Sequence, residues 1–98
     1  MGPGKADLLE AIVARGSISA AGRSLNMSYK RAWDLVNIMN ISFKEPLITT
    51  VVGGNNGGGA IVTKFGLAVL GQFRSIESKA NLVTMDEIKN LMNLLTKT

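Results

Sequence analysis

The sequence predicts a mainly α domain with one small β-hairpin, and three observations carry that prediction. Apolar residues recur at helical spacing through most of the chain, and a β-branched run from Leu47 to Val52 breaks that period just after Pro46. A glycine-rich stretch, Gly53 to Gly59, then separates this run from a second short one, Ala60 to Val62. The 98 residues give room for a single domain spanning the whole chain, 1–98. With 46% hydrophobic and 18% charged residues the composition is that of a globular protein. No apolar run approaches the ~18 residues that a membrane span needs.

The elements follow in order. Leu8, Leu9, Ile12 and Val13 share a helical stripe and Gly16 supplies a stop, which predicts a first helix over about residues 5–15. Ser17 is a natural N-cap for a short second helix with Ile18, Ala21, Gly22 and Leu25 on one face. A glycine inside a helix costs roughly 0.8–1 kcal/mol against alanine, so Gly22 points to close approach by another helix. Asn26 tolerates the left-handed conformation that ends a helix, and Ser28 can cap a third, over about 29–40, with Ala32, Val36 and Met39 as its core stripe and Leu35 beside it. Two strands, 47–52 and 60–62, flank the glycine loop. Thr63 can cap a fourth helix whose apolar residues Phe65, Leu67, Val69, Leu70, Phe73 and Ile76 form an unusually wide stripe. Thr84 and Glu87 match a capping box, which predicts a separate fifth helix over about 85–96 with Ile88, Leu91, Met92 and Leu95 on one side.

This order is that of a winged helix-turn-helix with C-terminal dimerisation helices. Residues 5–63 form the helix-turn-helix and wing, and 64–98 the dimerisation helices. The dimer is expected because a monomer of this size would struggle to cover the apolar stripes of the last two helices.

Charge placement names a partner. The net charge is +4, from 11 basic and 7 acidic residues. Arg15, Arg23, Lys30 and Arg31 carry all of the excess, because no acid lies between Glu10 and Asp34 and the other basic residues are balanced. Concentration in so short a stretch points to a phosphate-bearing partner, double-stranded DNA, against the plainer reading of a solvated face. Ser28, Tyr29, Lys30 and Arg31 open the third helix, where hydroxyls, cations and the positive end of the helix dipole face incoming phosphates or base edges. Lys30 and Arg31 either read guanine O6 and N7 or hold phosphates. Tyr29 and Trp33, one turn apart, can stack, with Trp33 either packed at the domain surface or touching DNA. Asp34 is expected to orient a neighbouring cation. Ser17 and Asn37 complete the helical candidates.

In the wing, Gly54, Asn55, Asn56, Gly57 and Gly58 are candidates. No charge lies between Leu47 and Thr63, so the wing either presents backbone amides to phosphate or is a hairpin tip without contacts. The glycines do not form a nucleotide-binding motif. A P-loop needs G-x-x-x-x-G-K-[ST] and a dinucleotide fold G-x-G-x-x-G, each followed by a helix, whereas this loop leads into a strand.

Other functions find little support. With no cysteine and no histidine, the chain lacks a disulfide framework, a thiolate and the commonest zinc ligand and general base. No catalytic set stands out, so no enzymatic activity, cofactor or metal site is expected. Met1-Gly2-Pro3-Gly4 does not resemble a signal peptide, and a cytoplasmic location without membrane association is expected. A winged-helix protein-interaction adaptor without direct DNA readout is the alternative reading.

From Leu8 to Ala80 the chain resembles the N-terminal DNA-binding domain of the molybdate-responsive transcriptional regulator (ModE) family, itself related to LysR-type winged helices. The resemblance rests on GSISAAGRSLNMSYKRAW (Gly16 to Trp33), GGNNGGGA (Gly53 to Ala60) and VTKFG (Val62 to Gly66). It implies a bacterial transcriptional regulator that binds a palindromic operator as a homodimer, with molybdenum-related genes as targets. Family members continue into molybdate-binding domains, for which 98 residues leave no room. The expectation is therefore a chain without molybdate sensing of its own, acting either as a short form or with a separate effector-binding protein.

Overall fold

The computed structural model describes residues 1–52 and 58–95. In chain order the elements are α1 (Pro3–Arg15), α2 (Ile18–Ser24), α3 (Tyr29–Ser42), β1 (Ile48–Val51), β2 (Gly59–Val62) and α4 (Lys64–Met92). This is the expected winged helix-turn-helix up to Thr63, and its boundaries follow from local chemistry. α1 starts earlier than expected because Pro3 suits the first helical position, where its missing N–H is not needed. It ends where Gly16 turns left-handed at φ 73° and its N–H bonds to Ile12 O. The hydroxyls of Ser17 and Ser28 accept from Ala20 N and Arg31 N, both at 3.1 Å, and start α2 and α3. Asn26 takes φ 58° in the turn between them.

Close packing explains Gly22. A Cβ there would lie 2.9 Å from Ala32 Cβ, so α2 and α3 meet at a distance only glycine permits. Around this contact the core gathers Leu8, Leu9 and Ile12 from α1, Ile18 and Ala21 from α2, and Ala32, Val36 and Met39 from α3. Leu47, Ile48, Ala60 and Val62 close it from the hairpin and Leu70 from α4. Val13 is an exception, since it shares the α1 stripe but is 55% exposed. Spacing identifies a face, whereas the reach of neighbours along that face is set by the fold.

The hairpin is antiparallel, pairing Ile48 with Val62 and Val51 with Gly59. Three ties dock it. Asn40, on α3, accepts from Leu47 N (2.9 Å) and Ile48 N (3.1 Å) at Oδ1 and donates from Nδ2 to Ile48 O (2.9 Å). Ala60 N donates to Gly16 O at 2.9 Å, joining β2 to the corner between α1 and α2. Thr63 N donates to Leu47 O at 2.9 Å while its hydroxyl accepts from Gly66 N (2.9 Å) and donates to Pro46 O (2.8 Å), so one residue caps α4 and closes the hairpin.

The C-terminal expectation is corrected. In place of two helices there is one of 29 residues, and the capping box at Thr84 is unused. Thr84 Oγ1 instead donates back to Ala80 O at 3.0 Å. Nothing between Gly71 and Met92 breaks a helix, and continuing the backbone ladder satisfies the same amides that a cap would. The wide stripe also divides. Leu70 is buried and Phe65, Val69 and Phe73 are half-buried, whereas Leu67 and Ile76 are exposed. Arg74 clamps this half of α4 to α1, reaching Asp7 and Glu10 at 2.6 Å each and Glu77 on its own helix at 3.0 Å. Beyond Glu77 every described residue is exposed. None of the described helices is long and apolar enough to cross a membrane.

Candidate nucleic-acid interface

The first turns of α3 are held by the Ser28 cap and by burial of Ala32, Val36 and Met39. At about 100° per residue, this anchoring turns Lys30, Arg31, Asp34 and Asn37 outward, and all four are exposed. Lys30 Nζ lies 2.9 Å from Asp34 Oδ2, so Asp34 orients a cation as expected. The hydrogen bond to Asp34, and then the charge of Asp34, hold the Lys30 ammonium above the ordinary lysine value. Lys30 is a full cation at neutral pH, and the pair remains open to solvent, with the two side chains 86% and 54% exposed.

Tyr29 and Trp33 meet edge to face, their ring centres 6.1 Å apart. Tyr29 is exposed and Trp33 half-buried against the core, which fits packing at the domain surface. The Trp33 Nε1 donor is buried and finds no acceptor among the described residues. The oxygens of Ser17 and Ser28 are engaged as caps, but each hydroxyl proton remains available to an acceptor.

Behind this face, α2, α3 and the hairpin enclose a groove of about 700 Å³ lined by Ser17, Ser19, Arg23, Tyr29, Trp33 and Thr50, with Gly58 at its wing side. Gly58 sits at φ 105°, where any Cβ would also strike Val51 O. The other wing candidates, Gly54, Asn55, Asn56 and Gly57, lie outside the described residues. Among the described residues no group of three or more acids could hold a metal ion.

The structure thus brings Ser17, Tyr29, Trp33 and Gly58 to one groove and sets Lys30, Arg31 and Asn37 on the helix face beside it. Sequence reasoning named neither Ser19 nor Thr50, and took Arg23 only as part of the basic stretch and Asp34 only as an orienting acid. Ser19 and Arg23 are four apart on α2, which was a readable signal. Thr50 gave none, because the hairpin register brings it to the groove.

No protein-family model matches the chain. The molybdenum transport protein ModE of Azotobacter vinelandii is 37% identical over 89 residues, covering 91% of this chain and 33% of that protein. The molybdenum-pterin-binding protein MopB of Rhodobacter capsulatus is 44% identical over 78 residues, covering 80% and 29%. The DNA-binding transcriptional dual regulator ModE of Escherichia coli K12 is 35% identical over 88 residues, covering 87% and 34%. The chain therefore spans about a third of the length of these relatives. Among solved structures, the CbnR DNA-binding domain in complex with DNA superposes with a TM-score of 0.70 at 18% identity, covering 93% of this chain and 99% of that one. Full-length LysG of Corynebacterium glutamicum gives 0.67 at 18% identity, covering 96% and 31%. By sequence the chain is similar to the ModE relatives over about a third of their length, and its fold is that of a winged helix-turn-helix domain.

Proposed function

We propose that the domain binds double-stranded DNA as a homodimer and regulates transcription, with α3 of each copy in a major groove of a palindromic operator. The observation that carries this reading is the outward face of the first turns of α3, where Lys30 and Arg31 stand exposed beside the positive end of the helix. The names of the relatives support it: DNA binding and transcriptional regulation for the Escherichia coli protein, molybdenum for the others. Molybdenum-linked genes are accordingly the proposed targets, with the signal read by a separate effector-binding unit.

Lys30→Ala and Arg31→Ala are each expected to weaken binding to a selected duplex by about tenfold. Where the lost contact is a phosphate, the slope of log affinity against log salt also falls by about one unit. Retention of affinity and slope in both variants would remove α3 from the interface. Wild-type protein with no salt-dependent affinity for any duplex would favour the adaptor reading.

The dimer rests on α4. Ile76, Leu82, Val83, Ile88 and Leu91 on α4, and Leu95 just past its end, are each more than half exposed, and beyond Glu77 none of the described residues covers the helix. An isolated helical stretch bearing so much apolar surface is stable in water only when a partner covers it. Sedimentation at micromolar concentration should give twice the mass of the chain. A stable monomer there would contradict the dimer. With two-fold symmetry the recognition helices should read half-sites about 34 Å apart or a multiple of that.

A further inference from the structure

Residues 11–44 carry Arg15, Arg23, Lys30, Arg31 and Lys44 and a single acid, Asp34. That acid stands near the middle of the outward face of α3. Ala32, Val36 and Met39 are buried on the opposite side, and Lys30, Asn37 and Arg31 flank it. The placement is costly for a phosphate-binding surface, because a carboxylate repels phosphate. It also has little structural justification. Among the described residues Asp34 makes a side-chain bond only in the solvent-open pair with Lys30, and exposed pairs of this spacing contribute little to stability. Its position lies past the first turn, where the helix dipole no longer favours an acid much.

The chemistry of the groove supplies a use. An ionised carboxylate can only accept hydrogen bonds. Guanine and thymine present acceptors in the major groove, and adenine sets its amino group beside the N7 acceptor, whereas cytosine presents its N4 amino group alone. We propose that Asp34 is a specificity-determining residue, accepting a hydrogen bond from a cytosine N4 in each half-site while its ion pair keeps Lys30 from settling on a phosphate. This rests on the DNA-binding reading above.

The test is selection of bound duplexes from random sequence by wild type, Asp34→Ala and Asp34→Asn, followed by affinities for the selected and a scrambled duplex over a range of salt. Wild type should require a cytosine at one position per half-site. Asp34→Ala should lose that requirement, and Asp34→Asn should exchange it for adenine, since an amide matches adenine N6 and N7. Discrimination between selected and scrambled duplex should fall about tenfold in Asp34→Ala. Affinity for the scrambled duplex should rise, with a slope steeper by about one unit as Lys30 reaches a phosphate.

An unchanged base preference and an unchanged affinity ratio in Asp34→Ala would overturn the proposal and leave Asp34 as a helix staple. In a Lys30→Gln background, removing Asp34 should still relax the cytosine position. If it does not, Asp34 acts only through Lys30 and the base contact is refuted. Wild type that enriches no sequence and shows no salt-dependent affinity for any duplex would sink the DNA-binding reading itself, and the Asp34 proposal with it. That failure is visible before any variant is compared.

Discussion

Gly66→Ala is expected to lower the stability of the domain by about 2–3 kcal/mol, although alanine is the better helix former. A Cβ at this position would press into Leu47 O and lie 2.8 Å from Val62 Cγ1. The carbonyl cannot give way cheaply, because it already accepts from Thr63 N at 2.9 Å and belongs to the segment that closes the hairpin. The first turn of α4 would have to lift from the base of the hairpin, at Leu47 and Val62, loosening the Thr63 cap that ties the two together. Thermal unfolding at fixed protein concentration should show a midpoint roughly 10–20 °C lower, given the size of the domain. An unchanged midpoint would mean that Leu47 O moves aside without cost, and that this contact does not set the angle of α4.

Asn40→Ala should be comparably damaging, at about 2–3 kcal/mol, for a different reason. One amide side chain satisfies Leu47 N, Ile48 N and Ile48 O at the point where β1 leaves α3, and truncation orphans three half-buried backbone groups together. Asn40→Asp keeps the acceptor for the two N–H groups but loses the donor to Ile48 O, so its loss should be smaller. Denaturant unfolding orders the three proteins, and amide exchange at Thr49, which pairs with Ile61 in the ladder, reports whether the strand has loosened. Equal stability of Asn40→Ala and wild type would show that water replaces the amide and that the hairpin is docked by its apolar face alone. If the groove between α2, α3 and the hairpin contributes to binding, Asn40→Asp should also weaken duplex affinity while α3 stays intact.

The helix-turn-helix was legible almost residue by residue. Its signals are local: Gly16, Ser17, Asn26 and Ser28 each satisfy or redirect backbone groups within one turn, so no distant contact is needed to read them. The same holds for Thr63 and for the pairing of Lys30 with Asp34, four residues apart on one helix. Local reasoning failed at Thr84, where a capping box and an uninterrupted helix use the same amides and only continuation decides between them. It had no access to the Asn40 tie, which spans seven and eight residues across a change of element.

By itself, then, the sequence determined the order of elements, the stripe that each helix buries and the stretch that carries the excess charge, because all three are written in periodicity and short-range hydrogen bonding. The tertiary structure alone decided which outward residues share a surface. Ser19, Arg23 and Thr50 join Tyr29 and Trp33 only because the α2–α3 crossing at Gly22 and the hairpin register bring three elements to one groove. It also decided that α4 runs on past Glu77 with its apolar side uncovered. Both outcomes depend on distances between segments far apart in the chain, which pattern along the chain does not encode.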